Sequence, residues 1–164
     1  MRKLLLAITL LTTLNTFSQI TILSEKDDMT DKVYYQASEG LICANTEMSK
    51  GFRIDPKISE EKGLLTIKNL IITMAGLESC NEENTLIILF DNEEKITINS
   101  WNKFNCKGLA YFSISNSNIE ILKSNKVSKI RVTNGKSFKS FTKEIEYKTY
   151  FIDLFKALNQ NKDE

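Results

Sequence analysis

Histidine is absent from the 164-residue chain. That removes the usual general base of serine and cysteine hydrolases and the commonest protein ligand for zinc, copper and non-haem iron. Three cysteines far apart in sequence do not make a structural zinc site unaided. Proline occurs once and tryptophan once. After residue 18 no apolar run approaches the ~20 residues a membrane-spanning helix needs. A surplus of one charge is missing too: 22 basic residues face 21 acidic ones. A near-neutral chain without a basic block offers no electrostatic case for nucleic acid or an anionic membrane surface.

What is present begins with the amino terminus. Arg2 and Lys3 precede an eleven-residue apolar run, Leu4 to Leu14, and Thr16 and Ser18 supply small residues at −3 and −1 of a signal-peptidase site. The expectation is a signal peptide over 1–18 and an exported protein, periplasmic or secreted. No cysteine follows the cleavage point, so no lipid anchor is expected there. The mature chain, 19–164, carries 20 basic and 21 acidic residues and has the length of a single domain.

Short β-rich segments separated by turn residues dominate the mature chain. Strands are expected at 33–36, 41–44 and 51–55, the last closing at the lone Pro56. Residues 59–62 read as a loop or one helical turn, and 64–74 as one or two buried strands. The runs TLIILF (85–90) and KITIN (95–99) flank a polar turn and form the strongest hairpin signal. A strand is also expected at 109–115. Ser117-Asn118-Ile119-Glu120 matches a capping box and predicts a short helix near 118–123. VSKIRVT (127–133) alternates, and Asn134-Gly135 predicts a tight turn whose bulged register sets Val132 opposite Phe138.

Residues 147, 150, 151, 154, 155 and 158 form one apolar stripe at helical spacing, so 147–158 reads as an amphipathic helix packed on the core. The fold class is therefore mainly β, a sandwich or a strongly curved antiparallel sheet, with a short helix and a C-terminal helix.

An exported chain with three cysteines is expected to hold one disulfide and one thiol. If Asn92–Glu94 is the hairpin turn, Phe90 pairs with Ile96 and Ile88 with Ile98. The same register, carried outward, sets Cys80 opposite Cys106. Cys43 with either of them is the other pairing. Under the first, Cys43 is a buried thiol inside an apolar tetrapeptide; its reading as a nucleophile lacks both a histidine and an adjoining Lys or Arg.

Parity along 96–106 turns Ser100, Asn102, Phe104 and Cys106 inward and Trp101, Lys103 and Asn105 outward. A lone tryptophan is more often covered than not, here by a second sheet or the C-terminal helix. Uncovered, Trp101 with Lys103, Asn105 and Tyr111 forms a candidate contact surface for sugars, peptides or protein partners. The acidic groups Asp27-Asp28-Asp31 and Asn81-Glu82-Glu83 lack the spacing of a calcium loop and read as solvated turns. Lys123, Lys126, Lys129 and Arg131 read as a solvated strand face.

The closing third, with SNSNIEILKSN, KVSKIRV, an NG turn and YFIDLFKAL after a hairpin bearing FDNEEK, resembles small exported proteins of unknown function from Bacteroidetes-type bacteria. The resemblance spans about residues 85–158. It implies compartment and fold class, and it brings no activity, cofactor or site residue. The functional expectation is an exported binding or interaction module without cofactor or metal, acting on an unknown protein or envelope component. A thiol- or carboxylate-based enzyme and a purely structural domain are the rival classes.

Overall fold

The computed structural model of the chain describes residues 19–160. The signal-peptide reading (1–18) and the last four residues lie outside them. Among the described residues the fold is mainly β: ten strands, two helices and two antiparallel sheets. The strands are β1 (Ile22–Lys26), β2 (Val33–Ala37), β3 (Leu41–Ala44), β4 (Gly51–Glu61), β5 (Leu64–Ala75), β6 (Thr85–Phe90), β7 (Lys95–Asn99), β8 (Leu109–Ser113), β9 (Val127–Thr133) and β10 (Ser140–Glu144). Helix α1 covers Asn116–Ser124 and α2 covers Tyr150–Gln160.

The first sheet runs β1-β2-β4-β5-β8, with β3 also on β4; the second runs β10-β9-β6-β7. They meet where Ser100, just past β7, bridges to Phe112 of β8. The alternation seen in sequence is the packing code. In β6, Leu86, Ile88 and Phe90 are buried, and across the pair Ile96 and Ile98 of β7 join them. From the first sheet Phe52, Ile54, Leu70, Ile72, Ala110 and Phe112 enter the same core. Helix α2 adds Tyr150, Phe151, Leu154, Phe155 and Leu158 of the expected stripe, together with Ala157, while Tyr147 of that stripe lies before the helix and is partly buried against the core. The Tyr150 hydroxyl donates to the carbonyl of Glu39 at 2.9 Å, which removes the cost of burying it.

Several expectations are corrected. The β6–β7 hairpin turns on Asp91-Asn92-Glu93, so Ile88 pairs with Ile96 and Leu86 with Ile98, two residues from the expected register. Phe90 N–H closes the turn on Glu94 O at 2.9 Å, and Glu93 takes the left-handed position at φ 66°. Strand β4 does not stop at Pro56 but continues to Glu61. Pro56 lies between the stretch paired with β3 (Gly51–Ile54) and the point paired with β2 (Ile58), where its missing N–H costs the ladder least. Of the expected loop at 59–62, Ser59, Glu60 and Glu61 are thus strand, and Lys62 and Gly63, both at positive φ, make the two-residue turn into β5. β5 is one continuous strand.

Ser115, not Ser117, caps α1: its Oγ accepts the N–H of Asn118 at 3.2 Å, and the helix starts two residues before the expected position. Helix α2 starts at Tyr150, because Tyr147 to Thr149 form the turn before it, and it continues through Gln160. Strand β1, short, polar and mostly exposed, carries no apolar pattern and was not expected. Among the described residues no helix is long and apolar enough to cross a membrane.

Candidate functional site

The loop from Ser100 to Gly108 is held by side-chain amides. Asn81, Asn84 and Asn134 are fully buried, although asparagine is seldom found there. Each has its polar atoms occupied. Asn84 donates to Asn81 Oδ1 at 2.7 Å and to Ser100 Oγ at 3.2 Å. Asn81 exchanges backbone hydrogen bonds with Asn105, 2.8 and 3.1 Å. Asn134 Nδ2 donates to the carbonyls of Leu77 and Cys80 at 2.9 and 3.0 Å, and its Oδ1 accepts the N–H of Lys136 at 3.0 Å. A non-periodic loop thereby satisfies its buried backbone without a strand partner.

This use of Asn134 overturns the expected tight turn at Asn134-Gly135. The β9–β10 ladder runs Thr133↔Ser140 and Val132↔Phe141, and Asn134 N–H reaches Lys139 O at 2.9 Å. Phe138 therefore sits in the turn, 84% exposed, instead of facing Val132. Gly135 is required for closeness: a Cβ there would lie 2.3–2.4 Å from the carbonyl oxygens of Glu83 and Glu82.

The disulfide joins Cys80 and Cys106, as the first pairing anticipated. It does so although the ladder register is displaced, because the pairing Asn81↔Asn105 beside it is set by the loop and not by the hairpin. Cys43 is the free thiol. Burial pushes it up to about 12, with Lys143 pulling weakly downward. A cleft of about 360 Å³ lies between β3 and β10, but Cys43 is not among its lining residues. A buried thiol held protonated is a poor nucleophile.

Trp101 leaves this knot on the outer face of the first sheet. Its backbone N–H donates to Tyr111 O at 3.0 Å, and Asn102 Oδ1 accepts the Tyr111 N–H at 2.9 Å. The indole ring lies 5.4 Å from the Tyr111 ring, tilted by 41°. Its Nε1–H donates to Asn69 Oδ1 at 3.3 Å, and Ser113 Oγ donates to the same oxygen at 2.9 Å. Trp101 is nonetheless 61% exposed, so neither the second sheet nor α2 covers it.

Of the four surface candidates, Trp101 and Tyr111 are brought into contact. Lys103 is exposed and makes no ion pair among the described residues, while its carbonyl accepts from Asn102 Nδ2 at 3.1 Å. Asn105 is half-buried and spends its amide inside the loop, on Leu109 O at 3.1 Å and the Lys107 N–H at 3.0 Å. Parity failed for Asn105 because the loop is not a strand. It failed likewise for Phe104, which is 48% exposed beneath Lys136 Nζ at 4.4 Å from its centroid, and for Cys106. Asn69 and Ser113 escaped the sequence reading; their only signal was strand parity, which aims them outward beside Tyr111 once the β5–β8 register is known.

The remaining charged groups act locally. Asp27 accepts the N–H groups of Met29 and Thr30, which hold its carboxyl below the usual range, and Asp31 pairs with Lys26. Lys123 pairs with Glu120 and Lys129 with Glu144. Among the described residues no three His, Cys, Asp or Glu side chains gather closely enough to hold a metal ion. No family model, no curated protein and no solved structure matches the chain.

Proposed function

We propose that the protein is an exported, non-enzymatic binding module, delivered to the periplasm or the exterior by residues 1–18, whose contact surface is centred on Trp101 and Tyr111. One observation carries the reading: Trp101 is exposed and yet fixed. A solvent-facing indole held by a hydrogen bond to Asn69 and a ring contact with Tyr111 has lost little freedom still to be lost on binding. Large rigid aromatics in that state are the usual centres of contact surfaces. The disulfide supports the exported half of the reading, since such bonds persist in oxidising compartments.

The test is sedimentation of the purified protein with isolated cell-envelope fractions, beside the Trp101→Ala variant. The wild type co-sediments and the variant loses at least tenfold in apparent affinity, with its urea midpoint nearly unchanged. Equal co-sedimentation of the two removes the proposed surface. A mature amino terminus at Gln19 in the exported protein, read by mass spectrometry, checks the leader.

A further inference from the structure

The Trp101 face has a chemistry that narrows its ligand. Its indole N–H is a donor only, so the atom of Asn69 facing it must be the oxygen. Ser113 Oγ donates to that same oxygen. Both interactions fall on Oδ1, and the Asn69 amide nitrogen, with two donors, has no partner among the described residues. Ser113 Oγ keeps its acceptor capacity, and the Tyr111 hydroxyl is likewise unengaged among the described residues. The result is an exposed indole plate, with the Tyr111 ring tilted beside it, edged by an unspent amide donor and two hydroxyls.

All four side chains stand on or beside the paired strands β5 and β8, where Asn69 pairs with Ser113 and Ile71 with Tyr111. They share the outward face of that strand pair, and Trp101 on it is exposed. A peptide anchor side chain gains most from a concavity that desolvates it, whereas Trp101 stands 61% exposed. A nucleic acid needs clustered positive charge, which a chain with 22 basic and 21 acidic residues does not supply. A pyranose ring fits both halves of the plate: one face of axial C–H groups to lie on the indole, and an equatorial rim of hydroxyls that each donate and accept.

On the reading that this surface binds, we infer that it takes a pyranose unit of an oligosaccharide. The sugar's C–H face lies on the indole of Trp101, and a ring hydroxyl accepts from Asn69 Nδ2 while Ser113 or Tyr111 serves its neighbour. Asn69 thus has two duties, holding the indole through Oδ1 and reading the sugar through Nδ2.

Those duties separate in one substitution. Asn69→Asp keeps the acceptor that the indole and Ser113 need, and deletes the donor. The probe is a printed array of neutral and uronic-acid-containing oligosaccharides, followed by titration of the best hexasaccharide into the purified protein with the lone tryptophan as reporter. The expected result is saturable binding of the wild type with a blue shift of Trp101 emission, and loss of array binding in Trp101→Ala, which is read on the array because that variant has no tryptophan. In Asn69→Asp the affinity falls about tenfold, the loss of one hydrogen bond to ligand. Acrylamide quenching of that variant without ligand stays at the wild-type value, showing the plate intact. Binding of glycans equally by wild type and Trp101→Ala overturns the inference, and so does an array without any bound glycan. In that last case the envelope sedimentation separates the causes. If Trp101→Ala still abolishes it, the contact surface stands and only the sugar falls; if it does not, both fall.

Discussion

The two cysteine environments of this molecule are built on opposite principles. Cys43 lies in β3 opposite Phe52, among apolar side chains whose only demand is to be kept from water. Cys80 and Cys106 join two connecting loops whose neighbours Asn81, Asn84 and Asn134 are fully buried and each hydrogen-bonded to particular partners. The first region tolerates small changes of shape at modest cost. The second tolerates almost none, because a buried polar group that loses its partner costs its full desolvation. The exposed Trp101 plate grows out of the second region, which is why a surface loop can be so rigid.

The sharpest way to break this contrast is Asn134→Leu. It strips donors from the carbonyls of Leu77 and Cys80 while keeping the site's volume, and should destabilise by about 4 kcal/mol in urea titration. A cost under about 1 kcal/mol would mean that the amides decorate the loop and do not hold it. Next comes the double change Cys80→Ala with Cys106→Ala. Its loop, closed at a separation of 26 residues, predicts a loss of roughly 3 kcal/mol. Retention of the wild-type Trp101 quenching in that variant would assign the rigidity to the amides; loss of it would assign the rigidity to the bridge.

The smallest effect belongs to Cys43→Ala, about 1 kcal/mol near neutrality. Its signature is in pH. The folded thiol is raised from its ordinary 9.0 to about 12, so the folded state holds this proton more tightly than the unfolded chain does. The stability linked to it is complete below pH 9 and is lost as pH rises towards 12. Burial raises Tyr147 to about 12 in the same way, and Tyr150 still further, so the wild type weakens steeply in alkali. Urea midpoints between pH 8 and 11 should fall less steeply in Cys43→Ala. Parallel slopes would show that the thiol is solvated after all.

The same contrast explains what was legible in the sequence. Apolar periodicity is local, and it marks β6, β7, β9 and the buried face of α2 in the sequence itself. The amide knot has no period: Asn134 meets Leu77 across 57 residues, and nothing near Asn134-Gly135 distinguishes a hairpin turn from a buried anchor. Trp101, Lys103 and Tyr111 were legible as surface candidates, whereas Asn69 needed the β5–β8 register to be placed beside them. The cap at Ser115 was hidden by a better-looking motif two residues on. Strand β1 was hidden because its pairing with β2 is a matter of backbone and not of side-chain pattern.

That hairpin has a further consequence. β1 and β2 pair with each other along five residues, yet β2 joins β4 at the single pair Tyr35↔Ile58, with the Tyr35 hydroxyl donating to Glu60. It is a flap on a narrow hinge. Its amides should exchange with solvent by a local opening that leaves the core closed, long before those of β5 or β6. While shut, it covers part of the long flank of β4, and the edge it presents in its place is short and carries Ser24, Glu25 and Lys26, poor bait for a neighbouring chain. Deleting the flap, which uncovers part of the β4 edge, should leave a folded protein that aggregates, as light scattering would show.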